Sequence, residues 1–139
     1  QRLLEYATHH QSLALFAVAA ITAVLLYELR ERARSAGAIG AQDVVRLMNQ
    51  GAAVLDLRSA EDYAAGHIRG ARSFPADQLA SSLDALKRYK DKPVVVYCER
   101  GTTAAAAVRT LAQQGFGQVA NLRGGLSAWR AEHLPVARD

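Results

Sequence analysis

Between Glu5 and Glu28 the chain runs for 22 residues without an Asp, Glu, Lys or Arg, and Leu13 to Tyr27 is apolar at every position except Thr22. As a helix such a stretch is about 33 Å long, the hydrocarbon thickness of a bilayer. A buried core helix or a helical dimerisation arm is the alternative, since the many alanines make the stretch only moderately hydrophobic. The length of the uncharged window favours a single transmembrane helix over 12–29, with 1–11 as its amino-terminal flank. A cleaved signal peptide fits less well, because Glu28-Leu-Arg-Glu-Arg-Ala-Arg34 inserts charges between the apolar core and Ala36-Gly-Ala38. Residues 30–37 read as a basic juxtamembrane linker. Arg30, Arg32 and Arg34 follow the span and only Arg2 precedes it, so the positive-inside bias places the carboxy-terminal side in the cytoplasm.

What remains, 38–139, is the size of one ordinary domain. Half of the chain's residues are hydrophobic and 22% are charged, a composition that supports a buried core rather than disorder. This part holds 13 Lys and Arg against 10 Asp and Glu, with no block of like charge long enough to mark a nucleic-acid footprint. A nucleic-acid partner is therefore not expected. The four histidines and one cysteine lack the spacing of a zinc site, and neither a metal nor another cofactor is expected.

Apolar runs alternate here with amphipathic stretches, the pattern of an α/β domain with a mainly parallel sheet. Asp43 to Asn49 reads as a helix ending at Gly51, and Ala53 to Leu57 as a buried strand. Ser59-Ala-Glu-Asp62 resembles a capping box opening a short helix closed by Gly66. Arg72 to Phe74 reads as a short strand. Pro75 introduces a helix through Leu79, Leu83 and Leu86. Val94 to Tyr97 is the clearest buried strand. An Ala-rich helix over 104–114 stops at Gly115, Gln118 to Leu122 is a further strand, and a last helix spans Gly125 to Glu132 before Pro135.

Cys98 falls at the carboxyl end of the Val94–Tyr97 strand, where open α/β sheets carry their sites. An isolated cysteine after an apolar strand is ordinarily a small core residue. Its context argues otherwise: Cys98-Glu-Arg-Gly-Thr-Thr103 is polar, contains a glycine, and leads into a helix, so its successive amides can form an anion-binding nest. Amide dipoles, the helix N-terminus and Arg100 all favour a thiolate. Glu99 works against it but is expected to turn into water.

Three separated segments give this reading a family. Val54-Leu-Asp-Leu-Arg58, Glu61-Asp-Tyr63 and Gly66-His-Ile-Arg-Gly-Ala71 together resemble the first signature of rhodanese domains. Cys98 to Thr103 is similar to their active-site loop, and Leu122-Arg-Gly-Gly-Leu-Ser-Ala-Trp129 with Leu134-Pro-Val136 resembles their terminal signature. The resemblance covers about Ile39 to Val136 and implies an open parallel sheet flanked by helices. It also implies a persulfide cycle in which Cys98 takes the outer sulfur of thiosulfate or another small donor and passes it to a thiol or cyanide.

In that cycle Glu99, Arg100, Gly101, Thr102 and Thr103 form the substrate-binding loop, with Arg100 binding the donor's sulfonate. The form C-x-[K/R]-G-x-T resembles thiosulfate-using members, although Glu99 stands where a basic residue is common. Asp56 and Arg58 either support the loop or form a surface ion pair. Gly66, Gly70, Gly124, Gly125, Trp129 and His67 are assigned to the fold. With its anchor, the chain resembles bacterial inner-membrane rhodanese-like proteins.

Two other functions compete. Cysteine phosphatases and arsenate reductases of the same fold use C-x5-R, and here that arginine position is Ala104. A membrane-tethered module whose main role is to bind an integral membrane partner is the other reading, because sulfur transfer alone requires no anchor.

Overall fold

A computed structural model describes residues 2–34 and 37–138. Contacts divide the chain after Arg32 into two units. The first holds one helix, α1 (Arg2–Arg34), which runs through both the expected flank and the basic stretch that follows the apolar core. Arg30 to Arg34 are thus helical, consistent with the high helix propensity of Leu, Arg, Glu and Ala there. Ser35 and Ala36 of the expected linker lie outside the described residues. The apolar window of α1 has a mean hydropathy of 2.1 and is not buried against protein. Its length and composition suffice to cross a membrane.

The second unit is an α/β domain. Its strands are β1 (Ala38–Ile39), β2 (Ala53–Asp56), β3 (Arg72–Ser73), β4 (Val94–Tyr97) and β5 (Val119–Leu122). They form one sheet in the order β1-β5-β4-β2-β3, with every pair parallel. Helices α2 (Ala41–Asn49), α3 (Ala60–Ala65), α4 (Leu83–Leu86), α5 (Thr102–Gln113) and α6 (Gly125–Ala131) provide the connections. Such a sheet is covered on both faces, and β4, buried at all four positions, is correspondingly apolar throughout.

Alternation along the strands separates two cores. Leu55, Val94, Val96 and Cys98 face Ala104, Ala107, Val108 and Leu111 of α5, together with Leu79 and Leu86. Val54, Val95, Tyr97 and Leu122 face Val44 of α2 and Leu126 and Trp129 of α6. The short helix α3 begins as expected, with the Ser59 hydroxyl accepting from the Asp62 amide.

Two features depart from the sequence reading. The helix expected after Pro75 is broken into 3-10 turns around the four-residue α4. Ser81 donates back to the Gln78 carbonyl, and serine side chains compete in this way with the regular helical ladder. Strand β1, only two residues long, carries too little periodicity to be read; it is defined by its pairing with Asn121 and Leu122.

Candidate active site

Strand β4 delivers Cys98 to the carboxyl edge of the sheet, at its centre, with β5 on one side and β2 on the other. The thiol is buried. Its sulfur accepts two backbone hydrogen bonds, from the Gly101 amide at 3.0 Å and the Ala104 amide at 3.4 Å. Gly101 caps α5 with φ +99°, a left-handed conformation that turns the chain abruptly from strand edge to helix. The sulfur therefore sits where the unpaired amides and dipole of a 12-residue helix favour negative charge.

The loop is held from below by α6. Leu126 donates its amide to the Cys98 carbonyl at 2.9 Å, and Ser127 donates to the Glu99 carbonyl at 3.0 Å. Gly125 makes this approach possible: a Cβ there would lie 2.3 Å from the Cys98 carbonyl oxygen. Asn121 of β5 reaches the same loop, its side-chain amide donating to the Gly101 carbonyl at 3.1 Å. Asn121 is 1% exposed, and its own Oδ1 has no hydrogen-bond partner among the described residues.

Asp56 and Tyr97 are register partners on β2 and β4, so their side chains share a face. The Tyr97 hydroxyl donates to Asp56 Oδ2 at 2.8 Å and accepts from the Ile68 amide at 3.1 Å. Arg58 grips the same carboxylate: Nη2 donates to Oδ2 at 2.8 Å and Nε to Oδ1 at 3.1 Å. It also donates to the Gly66 carbonyl. This pair is buried, not a surface ion pair: the Asp56 side chain is fully buried and that of Arg58 nearly so.

Burial and the Asp56 carboxylate push the Tyr97 phenol far above its ordinary range, so it remains a donor. For Arg58, burial works against the charge, but the hydrogen bond and charge of Asp56, with Tyr97 and Glu99 adding, shift it upward overall.

Glu99 does not turn freely into water. Oε2 accepts from Arg58 Nη1 at 3.3 Å, while Oε1 accepts from Arg130 Nη1 at 3.2 Å and from the Ser127 hydroxyl at 3.3 Å. Its two guanidinium partners come from the loop after β2 and from α6, a long-range arrangement invisible in the local sequence. Arg100, Thr102 and Thr103 lie on the exposed side of the loop. The eight residues singled out from sequence thus fall into a cysteine nest, a buried Asp56–Arg58 pair joined to it through Glu99, and an exposed rim.

Asn121, Ser127, Arg130 and Tyr97 were not singled out from the sequence. A polar amide inside an apolar strand was the available signal for Asn121; nothing local marked Arg130. His67 and Trp129 are buried, with Trp129 donating to the Pro135 carbonyl at 2.9 Å and His67 stacked on Tyr63. Among the described residues no group of three or more His, Cys, Asp or Glu is placed to hold a metal ion.

Fold and site together define a class: an open parallel α/β protein with a cysteine loop at the carboxyl end of its central strand. The chain belongs to the Rhodanese-like domain family, whose pattern matches residues 40–132. It is 31% identical to the uncharacterized protein YibN of Escherichia coli K12 over 99% of this chain and 98% of that one. It is 39% identical to the thiosulfate sulfurtransferase GlpE of Pseudomonas fluorescens, over 63% of this chain and 78% of the relative. Among solved structures it is similar to a rhodanese-related protein of Thermoplasma volcanium, with a TM-score of 0.67 and 29% identity over 73% of this chain and 98% of that one.

Proposed function

We propose that the chain is a sulfurtransferase that takes sulfane sulfur from thiosulfate or a similar donor onto Cys98 and passes it to a thiophilic acceptor such as a thiol or cyanide. The observation that carries this reading is the pair of amides, Gly101 and Ala104, donating to the Cys98 sulfur at 3.0 and 3.4 Å. Fixed donors at a helix N-terminus favour the anionic sulfur, both as attacking thiolate and as terminal persulfide. The likeness to GlpE, a named thiosulfate sulfurtransferase, supports the same assignment.

In the first step Cys98 Sγ attacks the outer sulfur of thiosulfate. The Sγ–S bond forms as the S–S bond to the sulfonate breaks, and sulfite leaves with the electron pair. Arg100, on the exposed side of the loop, would meet the sulfonate. In the second step cyanide attacks the terminal sulfur and Cys98 departs as thiolate, giving thiocyanate. Intact-mass spectrometry after incubation with thiosulfate tests this. A gain of one sulfur, lost on adding cyanide and absent from Cys98→Ser, is expected; no gain on a folded chain would overturn it.

Helix α1 is proposed to hold this domain at the bacterial inner membrane, facing the cytoplasm. Its length, its apolar window and the arginines that follow support the placement. A reporter fused to the carboxy terminus should report from the cytoplasm; a periplasmic signal would reverse the orientation. The unburied apolar surface of α1 also favours a second reading, a tethered module that binds an integral membrane partner. On that reading Cys98→Ser would keep its cellular phenotype, whereas an enzyme would lose it.

A further inference from the structure

Five charged side chains stand at or under the cysteine loop. Asp56 and Arg58 form the buried pair, Glu99 and Arg130 the half-exposed pair, and Arg100 is exposed. Two carboxylates and the attacking Cys98 thiolate stand against these three guanidiniums, so the groups sum to zero when the sulfur attacks. Glu99 decides this balance, and three donors, one from the loop after β2 and two from α6, hold its carboxylate in place. It is about half exposed, so its charge is felt by an approaching solute.

We infer that Glu99 is a specificity-determining residue, which sets the loop to favour sulfur donors carrying one negative charge, the persulfide anions of thiols, over the thiosulfate dianion. This rests on the sulfur-transfer reading and names its donor class. A change of one unit charge at the rim acts twice as strongly on a dianion as on a monoanion. With Glu99 present no net positive charge offsets its repulsion, which is twice as strong for a dianion as for a monoanion. Cys98 Sγ then attacks the outer sulfur of R–S–S⁻. The new Sγ–S bond carries the negative terminal sulfur, and R–S⁻ leaves with the electron pair of the broken bond.

The test is the rate of sulfur loading on Cys98, as kcat/KM, for the full chain in nonionic detergent. Thiosulfate and the persulfide of 2-mercaptoethanol serve as donors, and wild type, Glu99→Gln and Arg130→Gln are compared. Both substitutions remove the same ion pair but change the rim charge in opposite directions. Glu99→Gln is expected to raise thiosulfate loading by roughly two- to tenfold and persulfide loading by about the square root of that factor. Arg130→Gln is expected to lower thiosulfate loading comparably. Both effects should collapse near 1 M salt, where the screening length falls to about 3 Å.

If both variants slow both donors by one common factor, or if the donor ratio does not move, the carboxylate is a loop brace and the inference falls. A wild-type chain that accepts sulfur from neither donor overturns the sulfur-transfer reading itself, and the inference with it.

Discussion

Gly125 lies so close beneath Cys98 that a single added methyl would sit 2.3 Å from the Cys98 carbonyl oxygen and 2.6 Å from that of Glu99. Gly125 also has φ +63°, a conformation that favours glycine. Gly125→Ala is therefore expected to do two things at once. Overpacking and backbone strain together should cost about 2–4 kcal/mol of stability. Displacement of the loop should separate the Gly101 amide from the sulfur and abolish sulfur loading. Thermal unfolding alongside intact mass checks both; full loading would mean that α6 does not position the loop.

Asn121 holds the Gly101 carbonyl while its own buried Oδ1 has no partner among the described residues, which costs stability. Asn121→Leu removes the unpaired oxygen along with the donor. Stability is expected to change by less than about 1 kcal/mol, because the freed Gly101 carbonyl offsets the gain. The rate of Cys98 alkylation is expected to fall several-fold as Gly101 loses its anchor. A large loss of stability with unchanged alkylation would assign Asn121 to the fold alone.

Arg58 and Asp56 form a buried pair, and removing one partner strands the other. Arg58→Met should destabilise the domain by about 3–5 kcal/mol. Arg58→Lys should recover little of it, since an ammonium cannot donate at once to both Asp56 oxygens, the Gly66 carbonyl and Glu99 as the guanidinium does. Urea midpoints of the two variants test this. A lysine variant as stable as wild type would show that the charge matters and the fork does not.

These residues show where sequence reading reaches and where it stops. Val94 to Tyr97 could be read as a buried strand because four apolar residues precede a polar glycine-containing loop, and that alone puts Cys98 at the sheet's carboxyl edge. Ser59 could be read as a cap because its partner is three residues away. Arg130 could not be linked to Glu99, since they stand 31 positions apart with two further elements between them, and only the α6 packing brings them together. The broken helix after Pro75 failed for the opposite reason: the apolar spacing of Leu79, Leu83 and Leu86 is helical, but Ser81 and Ser82 interrupt the ladder between them.

Tyr97 supplies a pH test of the buried network. Its phenol is raised by burial and by Asp56, so the folded state holds this proton more tightly than the unfolded chain does. Stability from the hydroxyl is therefore complete below the unfolded tyrosine value near 10 and is lost as the pH rises above it. Tyr97→Phe strands the Ile68 amide and removes a donor from Asp56, which should cost about 1–3 kcal/mol at neutral pH. The gap between wild type and variant is then expected to narrow by about 1.4 kcal/mol per pH unit above 10. Urea unfolding at pH 8, at about pH 10 and at about pH 11 measures that gap. A gap that stays constant across the series would mean that the hydroxyl loses its proton at the same pH in the folded and unfolded chains, and the Asp56–Tyr97 bond would not be the buried contact that holds it.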